Sequence, residues 1–373
     1  MTPSILPFVH AQGSWGEIGR QVGRMLAPAI ERHVEAWTHH VMTETGCARG
    51  AVEAAAAPFA APIREHAPFL WEELEGMSKG SGVPLSRLLI LQARAEVMRV
   101  NKSAPPPLEC TTFAISRRRA GGGTLFGQNV DLVPLVESFG VVVRHVPKDA
   151  PAALLYTTAG LLGHNGLNEA GVGVCANFID DPAGWGEGLP RYLLSRLALR
   201  EESAEAARDA ALTPPRAASR NLLIADDRGT LLDVEALCRE AAVLRDVDGL
   251  LVHANHLEAP EFKGYETPKE NSLRRRERLQ ELFETAMTPV TVADVQGFYR
   301  DHANAPHSVC AHPFPGRNLQ TVVSVIGDLT SRELHATKGA PCGARYATYT
   351  LATCRTGALS VTVRDGYAPA VSD

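Results

Sequence analysis

Apolar residues recur at three- and four-residue spacing through the first hundred positions, which predicts helices over 15–45, 51–77 and 84–100. Gly46, Gly80 and Gly82 punctuate these stretches. The run AVEAAAAPFAAP has helix-favouring composition but is cut by prolines. Beyond Pro107 the texture changes to short β-branched or apolar runs bounded by turn residues. These predict strands over 111–115, 124–130, 141–145, 153–157, 173–177, 222–225, 231–234, 249–254 and 322–326. Helical patterns are interleaved at 191–200, 204–211 and 269–286, and a last strand pair is predicted near 346–351 and 359–364. A helical prologue followed by strands with inserted helices is the order expected of an α+β fold with antiparallel sheets layered against helices. The proline-rich stretch 104–107 is the clear break in composition, and a boundary just before Cys110 divides the chain into 1–109 and 110–373.

That boundary opens onto a predicted hairpin. Residues 110–116 form one arm, 117–123 a loop with three glycines that supply positive φ, and 124–132 the returning arm. Pairing Ser116 near Thr124 and counting back along both arms brings Cys110 opposite Val130, beside Asp131. A carboxylate therefore lies within reach of a cysteine at the start of a strand.

Bulk properties narrow the function classes. The chain has 373 residues, of which 45% are hydrophobic and 21% charged, enough apolar mass for a sizeable core. A net charge of -5 favours neither nucleic acid nor an anionic membrane as partner. The basic runs 117–119 and 274–276 are short and read as a solvated turn and a solvated helix face. The amino terminus lacks the features of a secretory signal, and no apolar stretch approaches the ~18 residues of a membrane span. Seven scattered cysteines with no CxxC pair suggest neither a zinc site nor a disulfide framework, so a reducing cytoplasm and no metal are expected. His253 and His256 lie three apart in a strand–turn context with no further ligand at metal spacing, and read as structural histidines.

Read more widely, "CTTFAI…GQNVD" resembles the motif that opens the catalytic chain in the acyl-coenzyme A:6-aminopenicillanic acid (isopenicillin N) acyltransferase family, cysteine members of the N-terminal nucleophile hydrolases. "GEIGRQVG", "GLLGHNGLNEAGVGVCANF", "LLVHANH" and "HSVCAHP" followed by "TVVSVIGDL" and "GAPC" resemble further family segments, in the family's order, from Gly16 to Cys342.

The resemblance implies a four-layer αββα sandwich of two antiparallel sheets between helices, with 1–109 as a helical segment of the same fold. It also implies self-cleavage at Glu109–Cys110, with the prolines presenting the bond and Cys110 becoming a nucleophile with a free α-amine as its base. By the same resemblance Asn255 and Asn177 are the expected oxyanion donors and Asp131 orients the amine or thiol. Thr111, Thr112, Ser308 and Arg317 are expected to contact substrate. The substrate is expected to be a small acylated amine or a thioester, with a coenzyme A thioester a possible acyl donor and no other cofactor. Two departures stand out: Ala311 occupies the place of a family arginine, with Arg317 a candidate replacement, and a charged Glu109 precedes the cysteine where glycine is found. These departures motivate a competing expectation, an uncleaved and catalytically degenerate binding or scaffold protein. A third is a conventional Cys–His hydrolase using His253 or His256.

Overall fold

The computed structural model describes residues 5–99, 109–351 and 361–362. The proline stretch 104–107 and most of the last predicted strand lie outside the described residues. In chain order the elements begin with β1 (Phe8–Gly13), α1 (Trp15–Thr45), α2 (Arg49–Ala56), α3 (Ala60–His66), α4 (Pro68–Ser81) and α5 (Leu85–Gln92). There follow β2 (Glu109–Ile115), β3 (Leu125–Leu132), β4 (Gly140–Pro147), β5 (Ala153–Thr158), β6 (Asn165–Asn168), β7 (Val172–Asn177), α6 (Leu194–Ala198) and α7 (Ala204–Leu212). The rest are β8 (Arg220–Asp226), β9 (Leu231–Ala236), β10 (Ala241–Arg245), β11 (Leu250–His253), α8 (Glu270–Thr285), α9 (Val292–Phe298), β12 (Gln320–Asp328), β13 (Glu333–Ala336), β14 (Ala347–Thr350) and β15 (Val361–Thr362).

The predicted long helix over 51–77 is broken into α2, α3 and α4 because Pro58, Pro62 and Pro68 each lack an N–H and end or start a turn. α1 starts at a capping box in which Ser14 and Glu17 satisfy each other's backbone donors, and it stops at Gly46 in the left-handed region. α1 and α4 approach so closely that a Cβ added at Gly19 would meet the Glu73 carbonyl oxygen at 1.9 Å, and one at Gly76 the Gly16 oxygen at 2.2 Å. The glycines read as part of a first-helix motif thus allow two helix backbones to touch.

Two sheets form the centre. Among the described residues one has eight strands in the order β1-β4-β5-β6-β7-β8-β9-β10, the other seven in the order β11-β2-β3-β12-β13-β14-β15. All these pairings are antiparallel except β1 with β4. β1 has no counterpart in the sequence-based prediction: FVHAQG is short, and its strand character comes from docking on β4. α1 and α4 cover the first sheet through Val22, Leu26 and Met77 against Val141, Val143 and Leu155, and α6 and α7 pack on β7, β8 and β9. α8 and α9 cover the second sheet, burying Leu279, Phe283 and Val295 on Phe113, Ile115 and Val252. This is the αββα layering, and the N-terminal 99 residues supply both a strand and an outer helical layer to it.

The β2–β3 register matches the count along the arms: Cys110 pairs with Val130 and Glu109 with Asp131. The period of two decides the chemistry of β2. Cys110 and Ala114 face the core between the sheets, whereas Phe113 and Ile115 face the α8–α9 layer.

Candidate active site

Cys110 lies at the end of β2, only 5% exposed, and lines a small pocket with Leu132, His164, Ala176, Phe178, Arg191, Tyr192 and Arg220. Its backbone N–H donates to Asn255 Oδ1 at 2.8 Å, and its carbonyl accepts from Arg275 Nη1 at 2.5 Å. The same guanidinium donates to Thr111 Oγ1 at 2.7 Å and to Asn255 Oδ1 at 2.9 Å. Burial pushes the Cys110 thiol up to about 12, and the Asp131 carboxylate adds to the rise. The Asp131 backbone N–H, bonded to the sulfur, and the charges of Arg275 and Arg220 work the other way. The thiol is thus neutral as it stands and needs a base.

Asp131 is that close neighbour. Its Oδ1 accepts from Thr321 Oγ1 at 2.6 Å, its Oδ2 is buried without a hydrogen bond among the described residues, and Arg275 Nη1 is 3.9 Å from Oδ2. Burial raises its carboxyl to about 7, against the pull of Arg275 and the Thr321 hydroxyl.

Glu109, the residue before Cys110, is accommodated by charge. Its carboxylate is ion-paired to Arg317, accepts from Asn271, and has Arg275 Nη2 at 3.7 Å. Glu109, Asp131, Arg275 and Arg317 form a buried quartet of two carboxyl groups and two guanidiniums around the Glu109–Cys110 bond. Arg317 is therefore engaged by Glu109 rather than offered to the pocket.

The expected oxyanion donors sit differently. Asn255 is at Cys110, but it presents its oxygen there, while its Nδ2 donates to the Phe178 carbonyl at 2.8 Å. In this arrangement its oxygen holds the Cys110 nitrogen. Asn177 donates to Thr112 Oγ1 at 2.9 Å and accepts from Gln128 at 3.0 Å, so its hydrogen bonds serve a polar seam between the sheets. Thr111 and Thr112, read as substrate contacts, are fully buried and bonded to Arg275, Asn177 and the His253 carbonyl. Ser308 donates to the Cys310 carbonyl at 2.6 Å within its own loop. None of these three lines the pocket.

The HANH histidines are engaged by other groups. His253 Nε2 bonds Glu235 at 3.0 Å; burial alone would lower its imidazole, but Asp233, Glu235 and Glu258 hold it up to about 10. An imidazolium is no general base. His256 bonds Ser272 Oγ at 2.7 Å, and Ser272 in turn accepts the Asn255 N–H, so His256 supports the loop at one remove.

Three charged or titratable groups around Cys110 escaped the sequence-based reading. Arg275 sits in a run taken as a solvated helix face, and the structure corrects this. Arg274 and Arg276 are 51% and 31% exposed, but Arg275 is 0%, because Ser272, Arg275, Leu279 and Phe283 form the inward stripe of α8. That three- and four-residue spacing was the available signal. His164 is the second: it lines the Cys110 pocket, and burial together with Arg220 and Arg94 keeps it neutral, well below its usual value. The third is a set of buried arginines. Arg94, Arg191 and Arg220 stand 4.3, 5.2 and 4.6 Å from the ring centre of Tyr192. Glu96 is the carboxylate beside them, and it accepts the Arg191 backbone N–H at 2.9 Å. Among the described residues Arg94 Nε and Nη2, Arg191 Nε and Nη1, and Arg220 Nε have no hydrogen-bond partner. Burial and Arg191 together lower Arg220 to about 9.

The geometry in place is a buried cysteine, an aspartate and a clamped amide. Residues 118–341, more than half of the chain, match the model of the family described as Acyl-coenzyme A:6-aminopenicillanic acid acyl-transferase. The chain belongs to this family. The matched span holds Asp131, Asn177, Asn255 and Arg275 and begins just after Cys110. A curated relative, the acyl-coenzyme A:6-aminopenicillanic-acid-acyltransferase 40 kDa form of Emericella nidulans, is 24% identical over 341 residues, covering 89% of this chain and 92% of that protein. Among solved structures, a mutant of conjugated bile acid hydrolase from Clostridium perfringens aligns with a TM-score of 0.48 at 11% identity, over 69% of this chain and 97% of that one. Penicillin V acylase from Agrobacterium tumefaciens aligns at 0.44 and 13% identity, over 61% and 83%. Likenesses at that level add nothing to the layering read from the strand pairing. Family membership makes the chain an enzyme of acyl transfer acting on an acylated small molecule. No helix among the described residues is long and apolar enough to cross a membrane.

The fold also gathers side chains that the sequence spacing kept apart. His302, Cys310, His312 and Cys342 place their ligand atoms within 4.8 Å of one another, a grouping that the sequence spacing did not suggest. Spacing along the chain says nothing of loops that meet in space.

Proposed function

We propose that this chain is a cysteine N-terminal nucleophile enzyme that cuts itself between Glu109 and Cys110. It then passes an acyl group from an amide or thioester to water or an amine through a Cys110 acyl-enzyme. The observation that carries this reading is the grip on both sides of one peptide bond. Arg317 and Asn271 anchor the Glu109 side chain, while Asn255 and Arg275 hold the Cys110 N–H and carbonyl.

In processing, the Cys110 sulfur attacks the Glu109 carbonyl carbon. The C–S bond forms, the C–N bond breaks, and the thiol proton passes by way of Asp131 to the departing nitrogen. Water hydrolyses the thioester, leaving the Glu109 carboxylate, the Cys110 thiol and a free α-amine, so that 1–109 and 110–373 become two chains of one fold. An α-amine has an ordinary pKa of ~7.7–8.0, and the neighbouring Arg275 charge favours its neutral form, the form that takes the thiol proton. Asn255 Oδ1, already on that nitrogen, would orient it. In turnover the sulfur attacks the donor carbonyl, the ammonium returns its proton to the leaving group, and water or an amine releases the acyl group.

The cation excess formed by Arg94, Arg191 and Arg220 favours a substrate bearing an anionic group near the scissile carbonyl, as a carboxylate-bearing amide or a coenzyme A thioester would. Intact-mass spectrometry tests the processing step. Wild-type protein should give two fragments whose masses sum to that of the chain plus one water, and Cys110→Ala a single inactive chain. Full-length wild-type protein with full activity would sink the self-cleavage.

A further inference from the structure

We infer that His302, Cys310, His312 and Cys342 form a tetrahedral zinc site on the loop layer beside the active centre. His302 Nε2 is 3.0 Å from His312 Nε2, Cys342 Sγ is 3.4 Å and Cys310 Sγ 3.7 Å from His312 Nε2, and all four ligand atoms lie within 4.8 Å. A tetrahedral ion with Zn–N of ~2.0–2.1 Å and Zn–S of ~2.3 Å needs N···N edges of about 3.3 Å, N···S edges of about 3.6 Å and an S···S edge of about 3.8 Å. The four side chains are already close to that polyhedron. Two soft thiolates and two imidazoles select zinc over the hard, oxygen-seeking magnesium and calcium.

Three backbone segments meet here, and each is held in place independently of the ligands. The Cys310 N–H donates to the Asp301 carbonyl at 3.0 Å, and the Asp301 carboxylate accepts from Arg278 at 2.7 Å and 3.1 Å. Arg300 Nε donates to the Pro341 carbonyl at 2.9 Å, tying the Cys342 turn to the His302 loop. Ala311, between two ligands, exchanges hydrogen bonds with Thr321 at 2.9 Å and 3.0 Å, which turns Cys310 and His312 toward the cluster. Binding Zn²⁺ would release the two thiol protons to solvent, and the two thiolates offset the double charge. His302, His312 and Cys342 are exposed, so an ion can enter from solvent.

The site is a staple with a line to the chemistry. Thr321, bonded to Ala311, donates to Asp131 Oδ1 at 2.6 Å. Zinc would therefore pin the loop on which the aspartate's orientation rests. Ala311, standing where the family arginine is expected, lies between two ligands of this cluster.

The test uses the full chain, purified without a metal-binding tag and under reducing conditions. Elemental analysis should find one zinc per chain. Exchange with Co²⁺ should produce sulfur-to-cobalt charge-transfer bands and the strong visible bands of a tetrahedral thiolate site. Cys342→Ser and His302→Ala should lose both signals, and chelation should lower the melting temperature of the wild type but not of Cys342→Ser. Trace zinc only in folded wild-type protein together with no tetrahedral cobalt spectrum would overturn the assignment. So would a Cys310–Cys342 disulfide, seen as a mass lower by two hydrogens. The metal content and cobalt spectrum of the unmutated chain decide the matter even if the variants fail to fold.

Discussion

Two charged clusters flank Cys110, and they are built on opposite principles. On one side two carboxyl groups, Glu109 and Asp131, face two guanidiniums, Arg275 and Arg317, and their hydrogen bonds hold the protein's own peptide bond. On the other, Arg94, Arg191 and Arg220 crowd around Tyr192 with Glu96, leaving several N–H groups unsatisfied among the described residues beside the pocket. Burying a guanidinium costs free energy unless it is paired, so a fold keeps an unpaired excess only where something else supplies the anion. The same residue type thus does two jobs. Paired arginine holds the protein's own peptide bond, and arginine with unsatisfied N–H groups lines the pocket.

That contrast predicts opposite signs for similar substitutions. The largest effect belongs to Arg275→Met, which leaves Glu109 and Asp131 short of a counter-charge in the core. Stability should fall by ~3–5 kcal/mol, the usual cost of breaking a buried ion pair, read as a lower urea midpoint, and the chain should remain uncut by intact mass. Arg191→Met and Arg220→Met relieve like-charge crowding, so the urea midpoint should hold or rise. Turnover of an anionic substrate should drop roughly 10–100-fold relative to its neutral amide analogue, in line with ~1.5–3 kcal/mol for a hydrogen bond to a charged group. A loss of stability in these two variants as large as in Arg275→Met would erase the distinction between the clusters.

Acidity probes the balanced side further. Asp131 is held at about 7 against an ordinary 3.8, so the folded chain keeps a proton that the unfolded chain gives up. This group's contribution to stability is therefore greatest below pH ~4 and shrinks as pH rises toward 7. Self-cleavage, which needs the carboxylate, should accelerate through the same neutral range in a rapid-mixing or pulse-chase measurement, and Asp131→Asn should be slow at every pH. The smallest effect is expected at His164. His164→Gln should cut itself at the wild-type rate and keep turnover within about tenfold, equivalent to ~1.4 kcal/mol in the barrier. A complete loss of turnover in cut protein would instead make His164 the base and replace the α-amine mechanism by a cysteine–histidine one.

Much of this centre was legible in the chain. The Cys110–Val130 register follows from counting along two arms of a hairpin, since both arms and the glycine turn are local. The same local logic fails for β1, whose strand state comes from its pairing with β4. It fails too for Asn177, whose place at a strand end is equally compatible with the pocket and with the seam between the sheets, and burial chose the seam. Asn255 was found by motif, but which of its amide atoms meets Cys110 was decided by Arg275 and the Phe178 carbonyl.

The four layers were what the family resemblance implied, while periodicity and turn residues were enough to set most elements, the hairpin and the cysteine–aspartate pair, because these depend on neighbours within a few tens of residues. Charge pairing was not, because a guanidinium reads the same in solvent and in a core. Only packing of α8 against β2 turned Arg275 inward, only the stacking of the sheets and their loops confined Arg94, Arg191 and Arg220 around one ring, and only the meeting of two distant loops brought Cys342 to His312. Local physics wrote the elements, while long-range contact assigned the charges and ligands their partners.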